Sequence, residues 1–238
     1  MRILVNGASI SAKKHGWPYQ LQKLLNCELT NLSVPSCGYD YVHDTTIAEL
    51  SKQPYDIVLI MWPAIAVRTD WKVDDAAQFG NDAWTSTYHA ESNARIESDW
   101  IFGGSHIIDE SQDIPMEHRS RISRLFADYY SVVKPPQLMR SSLLKIITLQ
   151  SVLRATNTSY VFMMPAPTKP LPRFLHLYNM MDPNGFFDQE YLMSYCVKNN
   201  LMDPRDVTNP GDVDYPSEAG HQAFAELLLQ HLRAKSYV

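Results

Sequence analysis

The stretch ILVNGASISAKKHGWPYQL, Ile3 to Leu21, reads as a strand that runs into a loop and then a helix. Ile3, Leu4 and Val5 form a short apolar run closed by Asn6-Gly7, the pattern of a buried strand with a turn behind it. Trp17, Leu21, Leu24 and Leu25 then recur at helical spacing, with Pro18 in the first turn, where a missing N–H removes no helical bond. Ala8 and Ser9 fall where the strand ends. Taken alone, such a serine is an ordinary capping or turn residue. The remainder of the chain gives its position more meaning.

The same alternation continues. ELTNLSV is a second short strand, and Tyr41 to Leu50 has the composition of a second helix. DIVLIMW, Asp56 to Trp62, is apolar without alternation, which predicts a strand covered on both faces. Met116 to Ala155 reads as two helices broken at Pro135-Pro136, SYVFMMPA as a fourth strand, and Phe187 to Leu201 as a helix. The chain closes with GDVDYPSEAGHQAFAELLLQHLRAK, a loop entering an amphipathic helix at about Ser217. Strands alternating with helices imply parallel pairing through right-handed crossovers. The expected fold is a three-layer α/β/α sandwich, flavodoxin-like in layout, with a parallel sheet of about five strands and a single domain over residues 1–238. Residues 63–115 interrupt the pattern with Trp71, Trp84, Trp100 and many acids, and are expected to be an irregular excursion that covers a pocket or anchors on the core.

Composition narrows the function classes. No apolar run approaches the ~20 residues of a membrane span, and the N-terminus does not read as a signal peptide. Cys27, Cys37 and Cys196 have no metal-like spacing and leave one thiol unpaired in any disulfide scheme, so a reducing, cytoplasmic setting is the expectation. The net charge of −5 argues against nucleic acid as a partner. Charge is nonetheless uneven. Residues 74–113 hold nine acids and one base, whereas residues 117–157 hold seven bases and two acids. Two solvated faces explain this, and so does a homo-oligomer that pairs the two halves or the steering of an anionic ligand. The histidines show no metal-binding spacing, so no metal is expected.

In an open parallel sheet, ligands bind beyond the carboxyl ends of the strands, which is where Ser9 falls. The loop has Gly7 alone, so it fits neither the dinucleotide fingerprint nor a phosphate loop. Instead, NGASIS resembles the first block of the SGNH, or GDSL-like, hydrolases, in which a serine follows the first strand. HGWPYQL is similar to the helix after that serine. NLSVPSCGYDYVHDTTI is similar to the second block, with Gly38 as its glycine. DVDYPSEAGHQAFAELL resembles the last block, a D-x-x-H-P loop entering the final helix.

The resemblance implies acyl-ester hydrolysis or acyl transfer without a cofactor, on a small-molecule or carbohydrate ester. Ser9 would be the nucleophile and the Gly38 N–H an oxyanion donor; such chemistry needs a base within reach of the hydroxyl and preorganised donors at the carbonyl oxygen. Two parts depart from the family. The third block, G-x-N-D, is replaced by MWPAIAVRTDW, where Arg68 resembles an arginine variant of the family and the Trp62 indole is a second donor. In the closing loop, Asp212-Val213-Asp214-Tyr215-Pro216 carries tyrosine where the family has its histidine. His221 is the nearest imidazole, a candidate relocated base with Asp212 or Asp214 as its orienter and equally a buried core histidine. Ser11 is a weaker candidate nucleophile, deeper in the loop. The competing expectation is a catalytically degenerate member of the fold, a ligand-binding or protein-interaction module, which Tyr215 favours. Sequences of this style occur, by resemblance, in phage genomes and surface-polysaccharide gene clusters.

Overall fold

The structure is a computed structural model that describes residues 1–35, 37–63, 68–72, 100–104, 128–129, 131–165, 171–203 and 215–238. Its centre is a parallel sheet built from the three most apolar runs and one edge. These strands are β1 (Arg2–Gly7), β2 (Glu28–Asn31), β3 (Ile57–Met61) and, after two further short strands, β6 (Ser159–Met163). Their spatial order is β2-β1-β3-β6, all parallel. Register is set by Ile3 opposite Leu29 on one side and opposite Ile57 on the other, with Ile57 opposite Ser159. Among the described residues the sheet has four strands, against about five expected. Beyond β6 there is a single parallel bridge between Phe162 and Phe186 among the described residues, with the Phe187 N–H donating to the Phe162 carbonyl at 2.8 Å.

Because side chains alternate across a strand, the apolar runs face both ways and need cover on both sides. Ile3, Val5, Ile57, Leu59, Met61, Val161 and Met163 turn to one face, where they meet α2 (Trp17–Leu25), α6 (Leu192–Lys198) and α7 (Glu218–Ala234). Leu4, Val58, Ile60, Tyr160 and Phe162 turn to the other, under α3 (Tyr39–Leu50) and α4 (Pro135–Ala155). This is the expected three-layer sandwich. Phe224 and Leu228 of α7 are fully buried, and each such side chain contributes about 2 kcal/mol through removal of apolar surface from water.

The helix boundaries follow local chemistry. Pro18 and Pro135 sit in first turns, and Ser217 accepts the Gly220 N–H at 3.1 Å as the N-cap of α7. Asn26, Asn157 and Asn200 adopt positive φ just past α2, α4 and α6, where a left-handed residue ends the helix. The expected helix over 187–201 is shorter, confined to α6. Of the two helices expected over 116–155, the second is α4, starting at Pro135, and residues 116–127 lie outside the described residues.

Within the excursion after β3, the structure has regular pairing where an irregular segment was expected. β4 (Arg68–Lys72) and β5 (Trp100–Gly104) form an antiparallel ribbon, with Asp70 opposite Phe102 and Lys72 opposite Trp100. The two strands are separated in sequence by residues 73–99, so no hairpin signature marks them. Trp100 is buried edge-on against Tyr41 of α3, ring centroids 5.4 Å apart; the side chains of Trp71 and Trp84 lie outside the description. The remaining elements are short: α1 (Ser9–Ala12), α5 (Leu175–Tyr178), β7 (Met202–Asp203) and β8 (Tyr215–Pro216). Among the described residues, no helix is long and apolar enough to cross a membrane.

Candidate functional site

The carboxyl end of β1 is fastened before the chain reaches Ser9. Asn6 is fully buried; its amide nitrogen donates to Thr45 Oγ1 at 2.9 Å and Thr46 Oγ1 at 3.0 Å on α3. Gly7 lies so close to β3 and α1 that a Cβ there would meet the Met61 carbonyl oxygen at 2.7 Å and Ser11 Oγ at 2.9 Å. Its own carbonyl accepts the Val34 N–H at 3.1 Å and the Cys37 thiol at 3.2 Å, which draws the loop before Gly38 onto the residue two before Ser9. Ser9 then opens the short helix α1, half-buried.

The group brought to Ser9 comes from the far end of the chain. The Tyr215 hydroxyl donates to Ser9 Oγ over 3.4 Å, a long hydrogen bond. Tyr215 is held by β7–β8, opposite Asp203, and by the start of α7, where the Ser217 N–H donates to the Leu201 carbonyl at 2.8 Å. The Lys13 ammonium lies over its ring, 4.2 Å from the centroid. Tyrosine therefore stands beside the serine, at the loop position where the resemblance expects histidine.

His221 is further along the chain, inside α7, and packs differently. It is 2% exposed, and its Nδ1 accepts the Trp17 N–H at 3.2 Å, tying α7 to the start of α2. The neutral ring then carries its proton on Nε2, which is buried and has no partner among the described residues. Burial, and secondarily Lys13, push this imidazole down to about 4. Among the described residues no hydrogen bond joins it to Ser9. Asp212 and Asp214 lie outside the described residues. Ser11 is fully buried and accepts the Trp17 indole N–H at 3.1 Å, a packing role.

On the oxyanion side, the Gly38 N–H is engaged. It is shared between both carboxylate oxygens of Asp70, at 2.7 and 2.8 Å, and Oδ2 of Asp70 also accepts the Tyr41 N–H at 2.8 Å. Asp70, 4% exposed, thereby caps α3 from the neighbouring ribbon. Trp62 is a core side chain, fully buried, stacked on Tyr39 at 5.0 Å and edge-on to Phe162; its indole N–H has no partner among the described residues. Tyr39 donates to the Pro63 carbonyl at 2.8 Å, and burial raises its hydroxyl well above the ordinary tyrosine range. The backbone of Arg68 begins β4 opposite Gly104, and its side chain is outside the description. Among the described residues no three His, Cys, Asp or Glu side chains gather as a metal site requires. Lys13 and Asp70 were not candidates from the sequence, where neither belongs to a motif.

The fold is similar to that of solved structures. One is the esterase EstA from a Pseudoalteromonas species, in a form inhibited by monoethylphosphonate. It is 12% identical, with 100% of this chain and 99% of that chain covered and a TM-score of 0.50. Another is TesA, 14% identical, with all of both chains covered and a TM-score of 0.50.

The chain has the SGNH-hydrolase fold.

It is a divergent version of that fold: no protein-family model and no curated protein matches it. A G-D-S-L family protein of Desulfitobacterium hafniense aligns over 96% of this chain and 98% of its own, at 13% identity and a TM-score of 0.43. Within this fold, Tyr215 meets Ser9 and Asp70 meets the Gly38 amide.

Proposed function

We propose that the chain is an SGNH-type serine esterase or acyltransferase acting on a small-molecule or carbohydrate acyl ester, with Ser9 as nucleophile and Tyr215 as its proton partner. The contact between Tyr215 and Ser9 carries the reading, because no other described side chain hydrogen-bonds the serine hydroxyl. The esterase named among the fold's neighbours supports the reaction class.

In the proposed reaction the two hydroxyls first exchange roles, Ser9 turning to donate to the Tyr215 oxygen, and Ser9 Oγ bonds to the ester carbonyl carbon as its proton passes there. Tyr215 passes its own proton to the departing alkoxide, the C–O bond to the alcohol breaks, and an acyl-serine remains. A water, or an acceptor alcohol, then attacks the acyl carbon. Its proton passes through Tyr215 to Ser9 Oγ, releasing acid or a new ester. Both hydroxyls start and finish neutral. A tyrosine is a feeble base beside an imidazole, so slow turnover is expected. His221 has a positioning role in this reading, holding α2 to α7.

The test is p-nitrophenyl acetate turnover with fluorophosphonate labelling of wild type, Ser9→Ala, Tyr215→Phe and His221→Asn. Ser9→Ala abolishes both, and Tyr215→Phe lowers kcat by about 10²-fold, the ordinary contribution of acid–base assistance. A folded His221→Asn protein as dead as Ser9→Ala would return the base role to His221. A second reading, a ligand-binding module on a degenerate site, is favoured by the engaged Gly38 amide; absence of labelling and turnover in wild type would select it.

A further inference from the structure

The Ser9–Tyr215 contact joins two segments that do little to hold themselves. α1 is four residues long, too short to be stable alone, and Ala8 ahead of it makes no side-chain cap. Tyr215 belongs to the two-residue strand β8, just ahead of α7. At 3.4 Å the two hydroxyls stand at the outer edge of hydrogen-bond reach, so a small relative shift of α1 and α7 makes or breaks the contact. What sets that contact is whatever fixes α1 against α7.

Trp17 reaches both helices. Its indole N–H donates to Ser11 Oγ at 3.1 Å, and Ser11, fully buried, lies in the same helical turn as Ser9. Its backbone N–H donates to His221 Nδ1 at 3.2 Å. Trp17 is the first residue of α2, so this N–H has no partner within its own helix and is free to serve α7. His221 in turn sits in the opening of α7, its own N–H donating to the Ser217 carbonyl at 2.9 Å. The Trp17 ring, fully buried, also stands edge-on to Phe224 one turn further along α7, centroids 6.3 Å apart. Two other links cross the same seam. Lys13 lies over the Tyr215 ring, and His15 faces Glu218 at 3.8 Å with both side chains well exposed, where such pairs contribute little. Trp17 differs from both in being wholly buried and in joining α1 to α7 through one side chain and its own backbone.

We infer that Trp17 is a positioning residue for the Ser9–Tyr215 pair, its indole N–H holding α1 through Ser11 and its backbone N–H holding α7 through His221 so that the two hydroxyls meet. For its effect on rate, the inference rests on the reading of Ser9 as nucleophile and Tyr215 as its proton partner. It does not need that reading for the contact itself, which is followed without turnover. Trp17→Phe keeps an aromatic ring and the backbone N–H and removes the donor to Ser11. Ser11→Ala removes the same bond from its other end with little change of volume. A shift of about 1 Å at the reacting atoms costs about 10²-fold in rate, so the smaller loosening of α1 in either variant is expected to cost about tenfold.

Two measurements on the full chain decide the matter. The first is NMR of the tyrosine Cζ signal in protein carrying isotope-labelled tyrosine. The Tyr215 signal is assigned by its absence from Tyr215→Phe, and its position without the hydrogen bond is read from Ser9→Ala. Trp17→Phe and Ser11→Ala are both expected to move it toward the Ser9→Ala position. The second is the rate of fluorophosphonate labelling at Ser9, with each variant made in the wild-type and the Tyr215→Phe backgrounds. A positioning residue acts through the pair, so its loss of about tenfold in the wild-type background shrinks to less than about twofold once residue 215 is Phe. A residue that only stabilises the fold lowers Tm and lowers labelling by the same factor in both backgrounds, and that result overturns the inference. So does a Tyr215 signal that keeps its wild-type position in the folded variants; Ser11→Ala carries both measurements if Trp17→Phe does not fold. If wild type neither labels nor turns over while the signal moves, the esterase reading falls and Trp17 stands as the residue that sets the contact. If Ser9→Ala itself leaves the Tyr215 signal unmoved, the two hydroxyls do not meet and both fall.

Discussion

Replacing His221 by Asn gives access to a charge that the fold refuses. The imidazole is 2% exposed between α2 and α7, its Nδ1 taken by the Trp17 N–H, and burial lowers it from 6.5 to about 4. In the unfolded chain the same side chain takes up a proton near pH 6.5. Between those values the unfolded state binds a proton that the native state does not, so acid pulls the equilibrium toward unfolding. The stabilisation is fully present above pH 6.5, declines as pH falls, and is gone once pH passes below about 4. Each tenfold step in proton affinity is about 1.4 kcal/mol, so the full effect is about 3 kcal/mol, of which about 2 kcal/mol is lost between pH 7.5 and pH 5.

Asparagine at 221 keeps an acceptor near the Trp17 amide and has no titration in this range. Urea unfolding of wild type and His221→Asn at a series of pH values from 7.5 to 5 measures the difference directly. The variant starts less stable at pH 7.5, having lost packing. The gap closes by about 2 kcal/mol as the wild type loses its histidine contribution. His231 is also lowered by burial, against the pull of Asp188. It remains in both proteins, however, and cancels in the comparison. Parallel stability curves over this range would contradict this account, since they would mean that the imidazole is protonated equally in both states or reached by water.

Gly7→Ala places a methyl within 2.7 Å of the Met61 carbonyl and 2.9 Å of Ser11 Oγ, so β1 must shift from β3; an overpacking cost of about 2 kcal/mol in urea unfolding is expected, together with loss of labelling at Ser9. Tyr215→His puts an imidazole beside Ser9, and p-nitrophenyl acetate turnover at pH 7.5 is expected to rise at least tenfold over wild type, whereas unchanged or lower turnover would speak against a base position at residue 215.

How much of this was legible in the sequence depends on the range of the interaction. The runs ILV, IVLIM and YVFM name their own strands, since a continuous apolar run needs cover on both faces, and the helical repeat from Phe224 to Leu232 names α7. Pro18, Pro135 and the Ser217 cap mark helix starts through chemistry contained within a turn or two. The serine at the end of β1 and the glycine at the start of α3 follow from that frame, because a parallel sheet gathers its strand ends at one edge. Their partners do not follow. Tyr215 reaches Ser9 across 206 residues, and Asp70 reaches Gly38 across 32, each through a strand only two to five residues long. A hydrogen bond between two distant segments leaves no period in either. A carboxylate in VRTDW looks the same whether it faces solvent or caps a helix. His221 illustrates the converse. Its place on the apolar face of α7 was readable, and that same burial takes it out of the range where it would serve as a base near neutral pH. Where a side chain lies on its own helix is a local property. Which atom it meets is a property of two segments at once, and the Tyr215–Ser9 and Asp70–Gly38 contacts are of that second kind.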